Sequence, residues 1–178
     1  MPHKSTTEEY RVLDHSNLKY LQKVETSLVE DGQFEYFGQP LKNASRIVKM
    51  LERLAWKDRE VGIVLFLDRN DNPIGYDYWT GGLDFVAIDP RQIVKLMCML
   101  NAIKVVFAHN HPEGDPRPSR GDEAFCLQFC QLSLLMGWEV SDFIIIGRPE
   151  YYSFREKNNP SLLTFSRNNF IIDEGVKP

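Results

Sequence analysis

The chain has 178 residues, of which 43% are apolar, and this is enough for one domain with a buried core. Its net charge of −4 argues against a strongly basic nucleic-acid-binding protein, and no apolar run reaches the roughly 20 residues that span a bilayer. The polar N-terminus lacks the apolar segment of a secretory signal, so a cytoplasmic protein is expected. Three cysteines, an odd number, do not make a disulfide framework.

The apolar and turn-forming residues predict alternating helices and strands along the middle of the chain. Apolar residues at helical spacing predict a helix over 44–57, and the apolar run Val61–Leu67 predicts a strand buried on both faces. The turn residues at 68–73 then reverse the chain into a partner strand at 76–79, which ends before Gly81 and Gly82.

The downstream pattern completes the predicted domain. It consists of a helix over 90–101, a strand over 104–108, a long helix that starts at Ser119 and ends at Gly137, and strands over 142–147 and 151–154. This order predicts a three-layer α/β domain with a central mixed sheet flanked by helices. The expected boundaries are an N-terminal extension at 1–43, the domain at 44–157 and a loose C-terminal tail at 158–178.

Two histidines, His109 and His111, follow the predicted strand at 104–108. Alternation along an extended backbone sends both rings to the same side, where they can reach one cation. A carboxylate from Asp122 would be a third ligand and would leave a fourth position for water, as in catalytic zinc sites. The position fits as well, because open α/β sheets place their sites beyond the carboxyl ends of strands.

Each part of this pattern also has a structural interpretation. Ser119 and Asp122 have the spacing of a capping box at a helix N-terminus, and a His-x-His sequence also occurs in turns. A helix that begins at Ser119 fixes Asp122 in its first turn, so the cap and the ligand are compatible. Cys126 and Cys130, four residues apart, could join a metal site, but small apolar residues on a buried helix face are the favoured interpretation.

The segment AHNHPEGDPRPSRGD, at 108–122, makes the pattern specific. His-x-His, seven residues, Ser, two residues and Asp resembles the motif of the JAMM (JAB/MPN) metalloprotease family. The chain is most similar to the RadC-like branch, which carries AHNHPxGDPxPSxxD and a later strand like DFIIIG at 142–147. The resemblance covers about 44–155 and implies an MPN-type, cytidine-deaminase-like fold with zinc-dependent hydrolase activity.

The resemblance also assigns a role to each site residue. His109, His111 and Asp122 would hold zinc, which lowers the pKa of a bound water. Glu60, at the head of the strand Val61–Leu67, matches the family's glutamate and would be the general base and then the proton donor to the leaving amine. Ser119 would donate a hydrogen bond to the developing oxyanion. Without the resemblance, Glu60 would be interpreted as a solvated charge at a strand edge.

Several positions depart from the family pattern. Glu113 stands where the family usually has Ser, Phe143 stands where it usually has His, and Gly81-Gly82 replaces a Gly-Thr pair. The roughly 40 residues before the domain are too few for the helix-hairpin-helix region of many RadC proteins, which removes one reason to expect DNA binding.

The expected function is therefore that of a zinc metallopeptidase or isopeptidase. Its substrate would be a peptide or protein, including a ubiquitin-like conjugate. The alternatives are a DNA-repair-associated accessory protein and a non-catalytic MPN scaffold. Nucleic acid is not an expected partner, because Arg117 and Arg120 lie among the acidic groups of the motif. A membrane is not expected either, because no apolar run is long enough to span one, and a homodimer is left open. The motif lacks the Pro-Cys-x-x-Cys of zinc deaminases.

Overall fold

The computed structural model describes residues 39–80 and 88–163. The helices are α1 (Ala44–Met50), α2 (Pro90–Leu100), α3 (Arg120–Met136) and α4 (Pro160–Leu163), with a 3-10 helix (Glu52–Trp56) after α1. The strands are β1 (Val61–Leu67), β2 (Pro73–Thr80), β3 (Lys104–Asn110), β4 (Glu139–Ile146) and β5 (Tyr151–Ser153). None of the helices in these ranges is long and apolar enough to cross a membrane.

The five strands form one mixed sheet in the order β2-β1-β3-β4-β5. Only β3 and β4 run parallel, and the other neighbours are antiparallel. Because β1 is antiparallel to β3, the beginning of β1 lies beside the end of β3, and Gly62 pairs with His109. This register brings residue 60 next to the two histidines, although they are far apart in sequence.

Side chains alternate between two apolar layers, one on each face of the sheet. Val64 and Phe107 belong to the layer that α2 and α3 cover, whereas Ile63 and Ala108 belong to the layer that α1 covers. The α-sheet-α arrangement follows from this alternation, since each face must be shielded from water. The predicted three-layer α/β fold with a mixed sheet is confirmed.

The helix predicted over 44–57 consists of two pieces. The Leu51 amide donates to the carbonyls of both Ile47 and Val48, and the Leu54 amide then donates to the Leu51 carbonyl. The hydrogen bonds thus shorten from the i−4 to the i−3 pattern, which converts the α-helix into a 3-10 helix. Leu51 and Leu54 both stay buried, so the apolar spacing alone did not reveal the change.

The chain end also differs from the expectation of a loose segment after residue 158. The side chain of Leu162, in α4, packs into the same apolar layer as α3, and Asn159 is buried as well. Residues 164–178 of the expected tail lie outside the described residues, as do 1–38 of the expected extension. The domain boundaries therefore stay a prediction.

Candidate metal centre

The two histidines lie where β3 ends. His109 is fully buried on the face of the sheet that α3 covers, and His111 follows the strand with its ring half-buried. The His111 amide donates to the Ile146 carbonyl at 3.1 Å, and its Nδ1 lies 2.7 Å from the Asp115 carbonyl. A carbonyl only accepts, so Nδ1 carries the proton and Nε2 keeps the lone pair that a metal needs.

Asp122 lies in the first turn of α3, and it is both a cap and a neighbour of the histidines. Its amide donates to Ser119 Oγ at 3.2 Å, while its Oδ2 accepts from the Ser119 amide and hydroxyl, each at 2.7 Å. Its Oδ1 lies 3.1 Å from His109 Nε2, and its Oδ2 lies 3.6 Å from His111 Nε2. The capping box therefore sets the position of the carboxylate, as the sequence spacing predicts.

The three side chains form a group that can hold a metal ion, with candidate ligand atoms within 4.8 Å of one another. The Nε2 atoms of His109 and His111 are 3.1 Å apart. Tetrahedral zinc with nitrogen and oxygen ligands at about 2.0–2.1 Å separates its ligand atoms by roughly 3.3 Å, and the contacts of 3.1 to 3.6 Å bracket this value. The residues present thus fit a small divalent cation.

The ionisation states also suit a cation. Burial lowers the pKa of His109, although Asp122 pulls it the other way. Burial also opposes protonation of His111, but contacts with Asp122 and the Asp115 carbonyl outweigh it and raise the pKa. Burial alone would raise the pKa of Asp122, yet contacts with the two histidines and Ser119 hold it well below its ordinary value. A neutral His109 and an ionised Asp122 are the metal-binding forms.

The two helical cysteines do not join this group. Cys126 and Cys130 are buried in the apolar layer beneath α3, as the sequence favours. Within the ranges 39–80 and 88–163, the histidine and aspartate group is the single cluster with ligand atoms close enough for a metal. The donor set is therefore two nitrogens and a carboxylate, without a thiol.

The structure also brings Glu60 to the ligands. It precedes β1, its side chain is 14% exposed, and its Oε1 lies 3.5 Å from His109 Nε2. Ser119 is exposed at the start of α3, and its single hydroxyl proton is directed at Asp122 Oδ2. Both residues with expected catalytic roles are thus beside the ligand group, one nearly buried just before β1 and one exposed at the start of α3.

Sequence patterns missed two residues that anchor the loop after His111. The Arg148 amide donates to the Gly114 carbonyl at 2.9 Å, and its guanidinium donates to the Pro112 carbonyl. A Cβ atom on Gly147 would lie 2.4 Å from the Gly114 carbonyl oxygen, so only glycine permits this packing. The available signal was the final glycine of the segment DFIIIG.

Two of the three departures from the family pattern lie near the centre. Glu113 is exposed, and after burial and Asp122 its charge also acts on both histidines. Burial still lowers the pKa of His109, which Glu113 opposes, whereas Glu113 adds to the raised pKa of His111. Phe143 is fully buried, with its ring centroid 5.5 Å from that of His109, so an apolar ring forms the wall behind this ligand. Gly81-Gly82 lies outside the described residues.

Comparisons with known proteins agree with this geometry. The family model described as RadC-like JAB domain matches residues 41–159. A curated relative, the UPF0758 protein of Thermotoga maritima, is 32% identical over 126 residues, which are 70% of this chain and 57% of the relative. The chain therefore spans little more than half the length of the curated relative that it matches. The resemblance seen in the metal-binding motif is confirmed, and the chain belongs to the RadC-like JAB domain family.

Proposed function

We propose that the protein is a zinc-dependent hydrolase that cleaves an amide bond, as a metallopeptidase or an isopeptidase. The observation that carries the proposal is the close approach of Glu60 to the ligand group of His109, His111 and Asp122. A carboxylate that is not itself needed as a ligand, beside a three-ligand centre, is the arrangement that water activation requires.

Zinc is the metal that best matches the donors. His109 Nε2, His111 Nε2 and the Asp122 carboxylate would hold it, and three protein ligands leave a fourth position open. Softer metals favour thiolates, whereas magnesium and calcium favour all-oxygen sites. When bound, zinc supplies Lewis acidity, which lowers the pKa of water and polarises a carbonyl group.

Glu60 is the proposed proton carrier. Its Oε1, 3.5 Å from His109 Nε2, is close enough to the centre to accept a proton from an attacking water. The same carboxyl then returns the proton to the leaving amine nitrogen. The surrounding protein favours this role, because a side chain that is only 14% exposed meets few competing water molecules.

Ser119 is the proposed oxyanion donor, although its present contact is with Asp122. The hydroxyl has one proton, which now points at Asp122 Oδ2. Rotation about the Cβ–Oγ bond would redirect it to a substrate oxygen, while the Ser119 amide keeps its own bond to Asp122. The cap can therefore persist while the hydroxyl serves the reaction.

The proposal extends to the substrate and the setting. A peptide or protein, including a ubiquitin-like conjugate, would be cut in the cytoplasm, and the protein would act alone or as a homodimer. The DNA-associated alternative gains no support from the loop cations, because Arg117 is paired with Asp115 through contacts of 2.8 and 2.5 Å.

The first test measures the metal. Purified protein should contain about one zinc ion per chain, and the double variant His109→Ala/His111→Ala should contain almost none. The matched control is Cys126→Ala/Cys130→Ala, which removes two other potential ligands and should retain the metal. Stoichiometric zinc in the histidine variant would exclude the proposed site.

The second test measures turnover against a library of peptides and isopeptide-linked conjugates. The wild type should hydrolyse at least one member of the library, and the histidine double variant should hydrolyse none. Wild-type protein stripped of its metal should lose activity and regain it when zinc is added. A zinc-loaded wild type that cleaves no member would instead favour the non-catalytic scaffold.

A further inference from the structure

A buried asparagine between the two metal-binding histidines holds the segment that carries Glu60. Asn110 is fully buried, and its Oδ1 accepts from the Val61 amide at 2.8 Å. Its Nδ2 donates to the Arg59 carbonyl at 3.2 Å. One side chain therefore holds the backbone on both sides of Glu60.

Strand alternation explains why this residue can reach that backbone. His109 points to the face that α3 covers, so Asn110 points to the opposite face, toward the layer to which Val61 belongs. The backbone pairing of β1 with β3 begins at Gly62 and His109. The carboxamide of Asn110, with one acceptor and two donors, continues the pairing by one step beyond that register.

The contact matters because of where it acts. The Val61 amide and the Arg59 carbonyl lie on the same edge of an extended segment, and Glu60 stands between them. With both neighbours held, the Cα of Glu60 is held too, and its side chain points away from Asn110, toward His109 at 3.5 Å. Asn110 thus lies directly between His109 and His111, the two histidines that are candidate ligands.

We infer that Asn110 is a positioning residue that holds Glu60 at proton-transfer distance from the metal centre. This inference rests on the proposed function for its catalytic consequence, but the positioning itself is separately measurable. Asn110 lies on the opposite face of the sheet from His109, away from the candidate ligand atoms. It acts through the backbone of residues 59–61.

The structural readout is hydrogen exchange at the Val61 amide in the zinc-loaded protein. In Asn110→Ala this amide loses its acceptor, and its exchange should become at least about 10-fold faster. Zinc content should be unchanged, because His111 keeps its own bonds to Ile146 and Asp115. Asn110→Leu, which is close in size and can neither accept nor donate, takes the place of the alanine variant if that variant does not fold.

The kinetic readout is a double-mutant cycle with Glu60→Gln. Asn110→Ala should lower kcat by about 100-fold with little change in KM, since a displacement of about 1 Å at a reacting group costs that much. In the Glu60→Gln background the same change should have almost no further effect, because the group that it positions is already disabled.

Asn159→Ala is the matched control. Asn159 is another buried asparagine with both amide atoms engaged, by the Tyr152 hydroxyl at 3.2 Å and the Ser161 amide at 2.9 Å. Its loss should reduce stability and leave kcat unchanged. Unchanged Val61 exchange, loss of zinc, or an additive cycle in the Asn110 variant would overturn the inference. An inactive wild type would overturn the proposed hydrolase instead, and the exchange measurement would still decide the positioning role.

Discussion

Glu60 is the residue on which the proposed mechanism depends, because it is the carboxylate beside His109, His111 and Asp122 that a bound metal would not need as a ligand. Glu60→Gln keeps the size of the side chain and removes the proton acceptor. Zinc content and thermal stability should stay close to wild type, and hydrolysis should fall by about 100-fold or more. Turnover and metal analysis on the same samples provide the measurement.

Glu113 provides the control for this prediction. It is an exposed carboxylate close enough to influence both histidines, so it is the other candidate for the base. Glu113→Gln should reduce hydrolysis far less than Glu60→Gln. The reverse ranking would transfer the base to Glu113, and loss of zinc in Glu60→Gln would make Glu60 a ligand or a support.

A second carboxyl group, Asp142 in β4, should make stability depend on pH. Burial raises the pKa of Asp142 to about 6, against the opposing effect of hydrogen bonds from Ser153, Arg155 and Phe143. The folded chain thus binds this proton more tightly than the unfolded chain, whose ordinary value is 3.8. The stability that the protonated Asp142 contributes is therefore present at a pH below the unfolded value of 3.8, and it is lost as the pH rises through 6.

The prediction compares the stability of the wild type with that of Asp142→Asn, a variant of equal size that cannot ionise. The difference in stability between the two should change with pH. The free energy of unfolding of the wild type, relative to the variant, should fall by about 2 kcal/mol between pH 4 and pH 6.5. Urea unfolding at both pH values measures it. Asp58→Asn, at an exposed side chain, controls for loss of a charge. A pH-independent difference between wild type and Asp142→Asn would refute the assignment.

At the residue scale, the sequence predicted the side chains that obey local rules. Alternation placed His109 and His111 on one side, and the capping-box spacing placed Asp122 in the first turn of α3. The sequence did not predict the contact between Asn110 and the backbone beside Glu60, which joins residues 49 positions apart. Such a contact depends on the register of β1 against β3, and a single sequence does not reveal register.

Among the elements, the loop after His111 depends on the glycine at the end of β4. Gly147→Ala would put a methyl group 2.4 Å from the Gly114 carbonyl oxygen and 2.8 Å from Pro116 Cδ. Backbone cannot give way as a flexible side chain does, so the loop must move, and the Asp115 carbonyl that orients His111 moves with it. Zinc affinity should fall by about 10-fold or more.

Gly137→Ala is the matched control for that variant. Gly137 ends α3 with φ of 74°, and a Cβ there would meet no atom within 4 Å. The substitution should cost about 1 kcal/mol of stability through backbone strain alone, without a change in zinc affinity. Competition with a chromogenic chelator measures affinity. Equal zinc affinity in both glycine variants would show that the loop anchor does not reach the metal centre.

The ends of the helices and strands were predicted correctly where local sequence signals set them, and less well where contacts with distant residues set them. The long helix α3 starts at its predicted cap and stops at its predicted glycine, because both signals lie in the sequence itself. The segment at 44–57 was predicted as one helix. Over so short a length, an α-helix and a 3-10 helix bury nearly the same residues, so the apolar pattern does not distinguish them. Strand β3 extends two residues beyond its expected end, because pairing with β4 continues to Asn110 and Ile146.

For the whole molecule, net charge and its local distribution argue against nucleic acid as a partner. The chain carries −4, and the Arg117 guanidinium is already paired with Asp115. Duplex DNA should bind more weakly than about 1 μM at physiological salt, and Arg117→Ala/Arg120→Ala should change little. Fluorescence anisotropy over a salt series measures this. Tight, salt-dependent binding that the double variant loses would instead support the DNA-associated function.

For the proposed hydrolysis, the orientation of α3 has a consequence for the order in which the products would leave. This helix of 17 residues directs its N-terminal end at the ligand group, and aligned peptide dipoles place roughly half a positive charge there. Cleavage of an amide yields a neutral or cationic amine and an anionic carboxylate. The positive end of the helix dipole attracts the carboxylate and does not attract the amine. The amine should therefore depart first and the carboxylate last. Added carboxylate product should therefore inhibit competitively against substrate, whereas added amine should not.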